Sequence, residues 1–276
     1  MPLLLKALIL GIVEGVTEFL PVSSTGHLIL VGAWLDYPDP QRVTMDIFIQ
    51  MGAILAVFWQ YGAELLNLAR QLTHNRAARD LVVKVGIAFV PAAVLGLVAH
   101  HAIEEHLFSP RSVAIALVVG GIVILLVERM SLRPTELEIL GRTGRSVDRI
   151  ERTSWTEALG VGLAQMLSLI PGVSRAGATI IGGMLVGMSR PVATQFSFYL
   201  ALPTLSAASL FSLAKGWKLL GPGDVLPLAV GFVAAYVSAL VVIRSFLAYV
   251  RTHDFRVFGW YRIAVGILVY ALLGRG

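Results

Sequence analysis

The sequence predicts an all-α polytopic membrane protein of two inverted-topology repeats, each a re-entrant helix–break–helix hairpin followed by three transmembrane helices. Three observations carry that expectation. Of the 276 residues, 57% are hydrophobic and only 14% are charged, and mean hydropathy is +0.79; soluble domains average about 25% charged residues. Apolar runs recur along the whole chain, and two pairs of them are short and interrupted by proline, at Pro21 and at Pro171-Gly172. Basic residues concentrate in alternate loops, which gives the halves opposite orientations.

The first repeat is expected over 1–128. It opens with a hairpin at 3–35, in which the runs 3–20 and 22–35 flank Pro21. A spanning helix needs ~20 apolar residues. The run 22–35 is too short for that, and the first run meets Glu14 after about ten residues. Non-helical backbone at membrane depth is tolerated where it lines a protein or water cavity. The opening segment is not read as a signal peptide, because Glu14 and Glu18 interrupt it and no small-x-small cleavage site follows. Helices at 44–60, 82–99 and 112–128 complete the repeat. The Arg-rich stretch 129–154 reads as a cytoplasmic linker. The second repeat, 155–276, has a hairpin at 155–188 and helices at 194–214, 225–247 and 257–273.

The halves correspond weakly in identity but closely in order. At an offset of 151, Gly11 falls on Gly162, Glu14 on Gln165, Val22 on Val173, Ser23 on Ser174 and Gly26 on Gly177. At an offset of 150, Thr44 falls on Thr194 and Phe48 on Phe198. The loops 61–84, 129–154, 189–193 and 244–256 hold 14 Lys and Arg, and the alternate set with the two termini holds six. The positive-inside rule makes the first set cytoplasmic. Three crossings per half then invert the second repeat, and such repeats place a site near the midplane where the breaks meet. The net charge of +5 therefore reports topology rather than nucleic-acid binding. With no cysteine, thiol chemistry, Cys-ligated zinc and disulfides are excluded.

Chemistry concentrates at the breaks. Glu14 and Glu18, spaced i, i+4, share a helix face, and ionisable groups inside a membrane are functional by default. A divalent cation with oxygen ligands, Mg²⁺ or Ca²⁺, relieves their repulsion and bridges carboxylates to phosphates. Ser23, Ser24, Thr25, Gly26 and His27 begin a new helix. Hydroxyls there serve as N-caps, and the free N–H groups and positive dipole end also make an anion site. Ser24 and His27 lie three apart, so His27 could take the Ser24 proton. The second break supplies Ser174 and Arg175. A guanidinium fork matches phosphate oxygens, although Glu14 or Glu18 would also serve Arg175 as a purely structural partner. The whole set suits phosphoryl transfer, which depends on positioning and charge stabilisation. Gln50, a lone amide in an apolar run, either reaches the site or binds helices together. The run His100-His101-Ala102-Ile103-Glu104-Glu105-His106 permits a metal site on a helical turn but reads better as a wetted connector.

The stretches EGVTEFLPVSSTGH (14–27) and PGVSRAGATIIGGMLVGMSR (171–190) resemble the two signatures of the bacterial undecaprenyl-diphosphate phosphatase family, which confers bacitracin resistance. The likeness extends to the IQMGAILAV and FSFYLALP runs and covers the whole chain. The second signature departs at Ala176 and Ile181, where the family commonly has serine; Arg175 is retained. The resemblance implies hydrolysis of undecaprenyl diphosphate with a divalent cation at the outer face of the cytoplasmic membrane, recycling the carrier for peptidoglycan synthesis. By position, Glu14 and Glu18 match the family's acidic pair, Ser24 and His27 its proposed catalytic pair, and Arg175 its phosphate-binding arginine.

The expected site thus has Glu14 and Glu18 on the metal and Glu18, Ser24 and His27 in catalysis. Arg175, Ser23, Thr25, Gly26, Ser174 and Gln50 bind substrate. Ser24 attacks with help from His27, or His27 attacks directly, or Ser24 positions a water. The partner is a prenyl diphosphate in the bilayer, not nucleic acid, and a homo-oligomer is compatible with this reading. The rival class is a secondary transporter or flippase of a prenyl phosphate, which broken helices also suit; a purely structural membrane protein leaves the buried charges unexplained.

Overall fold

Each proline-interrupted apolar run folds as two short helices joined by a tight turn. In the computed structural model, which describes residues 1–37, 41–107, 109–130, 147–216 and 222–273, α1 (Leu3–Thr17) stops at Glu18, and α2 (Ser24–Leu35) starts after Pro21. Ser23 caps α2: its side chain accepts the Gly26 N–H at 3.5 Å. The second break repeats this design. α7 (Trp155–Met166) is opened by a capping box between Ser154 and Glu157. One 3₁₀ turn (Leu167–Leu169) follows, and Ser174 caps α8 (Arg175–Leu185) by accepting the Gly177 N–H at 3.0 Å. Both capping serines have φ 72°, and Gly172 has φ 95°. A non-glycine residue held there costs on the order of 1–3 kcal/mol and persists only where its surroundings impose it.

The remaining helices are α3 (Gln41–Gln60), α4 (Gly62–Gln71), α5 (Arg76–Leu107), α6 (Pro110–Met130), α9 (Arg190–Gly216), α10 (Val225–Tyr249) and α11 (Arg256–Leu273). Five long apolar stretches can cross a membrane among the described residues: 76–99, 110–130, 190–214, 225–249 and 256–273; 24–35 and 44–60 are shorter apolar helices. The chain is a multi-pass membrane protein.

Two elements differ from expectation. α4 lies where a loop was expected over 61–84; its Leu65 and Leu68 rest on the core while its polar face carries Glu64 and Arg70. A single amphipathic turn pattern of this length is invisible to a search for apolar runs. α5 spans 76–107 rather than 82–99, because polar turns prolong the helix past the apolar stretch at both ends, and Pro91 sits inside it. The run from His100 to His106 falls on the last turns of α5, and its histidine and glutamate side chains lie outside the described residues, as does most of the expected linker 129–154. The end of that linker is tethered: Val147 N–H donates to the Gly187 carbonyl and Ser189 N–H to the Val147 carbonyl, each at 3.0 Å.

α6 packs on α11, α1 and α3 on α10, and α5 on α7. Lipid offers no hydrophobic drive between helices, so close approach through small residues matters. A methyl group at Gly11 would sit 2.3 Å from the Gly231 carbonyl oxygen, and one at Gly162 2.7 Å from that of Ala88. At the end of α6 the Glu128 side chain, 1% exposed, forms an ion pair with Arg190 of α9 and accepts the Phe255 N–H at 2.9 Å before α11. Phe19, beside the first break, packs edge-on against Phe198 of α9 at 5.6 Å, which seats the end of α1 in the aromatic core.

Candidate functional site

Both breaks open on one cavity of about 170 Å³. Glu18, Ser23, Ser24 and Thr25 line it from the first break, and Ser168, Gly172, Ser174 and Arg175 from the second. Gln50 of α3 and Thr204 and Leu205 of α9 complete the wall. The first turns of α2 and α8 both contribute, so two positive helix ends face one space.

Glu18 joins the two halves. Its Oε2 accepts the Ser24 hydroxyl at 2.6 Å, and its Oε1 accepts Arg175 Nη2 at 3.1 Å. Both side chains are 7% exposed, so this is a desolvated pair, and removal of one partner is costly. Arg175 Nη1 donates to the Ser197 carbonyl at 3.2 Å and to Ser197 Oγ at 3.3 Å. Ser197 is braced by Thr179, 2.6 Å away. The guanidinium lies 5.7 Å from the Phe19 ring centroid. Its Nε–H is buried without a hydrogen-bond partner.

The expected hydrogen bond between Ser24 and His27 is not the contact found. His27 Nδ1 donates to the Ser23 carbonyl at 2.7 Å, because a carbonyl can only accept. With the proton on Nδ1, neutral His27 accepts the Tyr261 hydroxyl at Nε2, again at 2.7 Å. The two rings are stacked nearly parallel, with centroids 5.5 Å apart. A shared helix face brought Ser24 and His27 near each other, but the ring turned to the break's own backbone and to α11, and Ser24 found Glu18.

The other expected residues divide. Ser23, Thr25, Ser174 and Gln50 line the cavity. Gln50 Oε1 also accepts the Ser209 hydroxyl at 2.9 Å, binding α3 to α9. The Gly26 N–H is spent on the cap, and the Gly26 α-carbon faces Leu117. Gln165, opposite Glu14 in the repeat register, is fully buried and accepts the Thr204 hydroxyl at 3.2 Å.

For the expected cation, Glu14 is 2% exposed and its Oε2 has no hydrogen-bond partner. Glu18 and Asp46 lie close enough to repel it electrostatically. Both Glu18 oxygens are already engaged. Among the described residues no group of three or more His, Cys, Asp or Glu side chains is disposed to hold a metal ion. Glu14 is also not among the residues that line the cavity, so its unpartnered carboxylate oxygen lies behind the cavity wall.

Sequence reasoning missed Ser168, Thr179, Ser197, Thr204, Tyr261 and Arg262. The hydroxyls carry no signal of their own in apolar helices. Arg262 carried one: of 22 Lys and Arg, 20 fall in the loop and terminal ranges read from the sequence, and the two others are Arg175 and Arg262. Arg262 is 1% exposed and reaches both breaks.

The sequence profile of the family described as bacitracin resistance protein BacA matches residues 7–268. The chain is 49% identical over 267 residues to a protein of Nitrosospira multiformis named undecaprenyl-diphosphatase, covering 97% of this chain and 94% of that protein. It is 50% identical over 276 residues to undecaprenyl-diphosphatase 2 of Rhodospirillum rubrum, covering 99% and 96% of the two chains. A protein of Dechloromonas aromatica with the name undecaprenyl-diphosphatase is 50% identical over 269 residues, covering 98% and 94%.

Proposed function

This chain belongs to the bacitracin resistance protein BacA family, and on that premise we propose that it hydrolyses undecaprenyl diphosphate to undecaprenyl phosphate and inorganic phosphate. The reaction recycles the lipid carrier for peptidoglycan synthesis and removes the diphosphate form that bacitracin sequesters. The observation that carries the reading is Glu18, hydrogen-bonded at once to a hydroxyl nucleophile and to a buried guanidinium beside a cavity. A carrier needs no nucleophile–base pair, so transport is not favoured.

In the mechanism we propose, the diphosphate enters the cavity with its terminal phosphoryl against Arg175 and the starts of α2 and α8. Ser24 Oγ attacks the terminal phosphorus, and the bond from phosphorus to the bridging oxygen breaks. The hydroxyl proton passes to Glu18 Oε2 and on to the departing undecaprenyl phosphate. Water then attacks the phosphoserine. Its oxygen joins phosphorus, one of its protons returns through Glu18 to Ser24 Oγ, and phosphate leaves. His27 holds the Ser23 carbonyl and thereby the turn before Ser24. Glu14 would hold Mg²⁺ or Ca²⁺, an ion that supplies charge neutralisation when bound.

The test is release of phosphate from a prenyl diphosphate by purified protein, repeated on Ser24→Ala and Glu18→Gln, with trapping of a labelled intermediate. Loss of a positioned base lowers kcat by roughly 10²–10⁴-fold, and the label is expected on Ser24. Full activity in Ser24→Ala with no label at residue 24 would sink the serine mechanism. Chelation is expected to abolish turnover, with recovery on addition of Mg²⁺ or Ca²⁺; undiminished turnover in chelator removes the cation.

The proposal includes the architecture. Residues 1–128 and 155–276 are inverted repeats, each a re-entrant hairpin followed by three crossings. In support, α1 rests on α10 of the other half and α7 on α5 of the first, the exchange that a two-fold relation requires. Gly11 and Gly162, equivalent in register, each meet a backbone carbonyl of the exchanged helix. The loop charges orient the helices, and the family resemblance supports an active site that opens to the outer face of the bacterial inner membrane.

A further inference from the structure

α11 contributes none of the residues lining the cavity, yet Arg262 reaches from it to both breaks. Its Nη1 donates to the Pro21 carbonyl of the first break at 3.2 Å and to the Val173 carbonyl of the second at 2.9 Å. Nη2 donates to the Gly172 carbonyl at 3.0 Å and the Ala116 carbonyl at 3.2 Å. Nε donates to the Leu117 carbonyl at 3.4 Å. A guanidinium has five N–H donors, and here each one meets a different backbone carbonyl.

Those carbonyls belong to three separate elements, and two of the elements are the strained turns that deliver the reacting groups. A peptide unit is planar, with its C=O and N–H pointing opposite ways. Drawing the Val173 carbonyl toward Arg262 therefore turns the Ser174 N–H away from it, on the segment where Ser174 and Arg175 line the cavity. Ser174 sits at φ 72°, a conformation its surroundings must impose. Arg262 does so from behind.

We propose that Arg262 is the positioning residue that holds the two breaks in register, so that Glu18 and Ser24 of one meet Arg175 of the other. This rests on the hydrolase reading above. The role is specific to the guanidinium fork, because an ammonium has three donors around a point charge and cannot span five fixed carbonyls.

Two variants test it in the full-length protein, purified in detergent and assayed for phosphate release from farnesyl or undecaprenyl diphosphate, with thermal unfolding followed in parallel. Arg262→Lys keeps the charge and loses the fork. Gly120→Ala keeps Arg262 but places a methyl group 2.1 Å from its Nη2, displacing the head without touching either break; in a helix this change is otherwise favourable. Each is expected to lower kcat about 100-fold, as misplacement of reacting groups by an ångström does. KM is expected to stay within about threefold, since the prenyl tail and the anionic head still bind. If wild type releases no phosphate, the hydrolase reading fails. With wild type active, both variants keeping kcat within about threefold of it overturns the positioning role, and so does a lower melting temperature with kcat per folded molecule unchanged. A rise in KM at constant kcat also overturns it. If Arg262→Lys does not accumulate, Gly120→Ala decides by the same criteria.

Discussion

At the scale of single residues, the site turns on how Glu18 divides its two oxygens. Replacing Glu18 with Gln, or Arg175 with Met, leaves the other member buried and uncompensated, at a cost of about 3–5 kcal/mol. The double variant Glu18→Gln/Arg175→Met is expected to recover most of that stability while remaining inactive; thermal unfolding beside the phosphate assay separates the two effects. Tyr261→Phe removes the donor to His27 Nε2 but keeps the stacked ring. The loss of one such bond, about 1 kcal/mol, should lower kcat/KM by under tenfold, well short of the loss in Ser24→Ala. The sequence disclosed the membership of the site well: Glu18, Ser24 and Arg175 were legible as polar groups in apolar runs. It did not disclose the pairing. Ser24 lies three residues from His27 and six from Glu18, and the fold of the turn brings it to the more distant of the two. Tyr261 and Arg262 lay more than 230 residues from their partners in the first break, a separation that local patterns do not register.

At the scale of elements, the breaks are the informative units. Pro21 and Pro171-Gly172 marked them, and the hydroxyls of the first break were foreseen as caps. The positive φ of the capping serines was not, since nothing in a serine announces left-handed backbone. Ser174→Ala removes the bond to the Gly177 N–H and keeps the strain, so it should cost about 1 kcal/mol and lower activity as the start of α8 loosens. Gly11→Leu drives a side chain into the Gly231 carbonyl, separates α1 from α10, and should destabilise by about 1–3 kcal/mol as overpacking does; a shift in melting temperature measures it. Long apolar helices were placed well because hydropathy reports them. α4 and the polar ends of α5 were not, because their helicity comes from amphipathic pattern and continuity rather than from apolar length.

At the scale of the whole molecule, the lack of cysteine makes orientation directly measurable. Cysteines introduced at Asn75 and Thr252 should be labelled by a membrane-impermeant maleimide only from the cytoplasmic side, and one at Asp36 only from the outer side. The opposite pattern would reverse the proposed orientation. The join between Glu18 and Arg175 also has a consequence in time. The two residues are 157 positions apart, and ribosomes add about 5–20 residues per second. Glu18 therefore exists for roughly 8–30 s before its counter-ion is made, and the two breaks wait longer still for Arg262. During that interval the nascent hairpin carries two carboxylates with no cation to meet them, so it cannot settle dry in the hydrocarbon. The N-terminal half must be accommodated in a wet or chaperoned setting until the C-terminal half emerges, and an arrested, half-length chain is a candidate for degradation rather than a partly active enzyme.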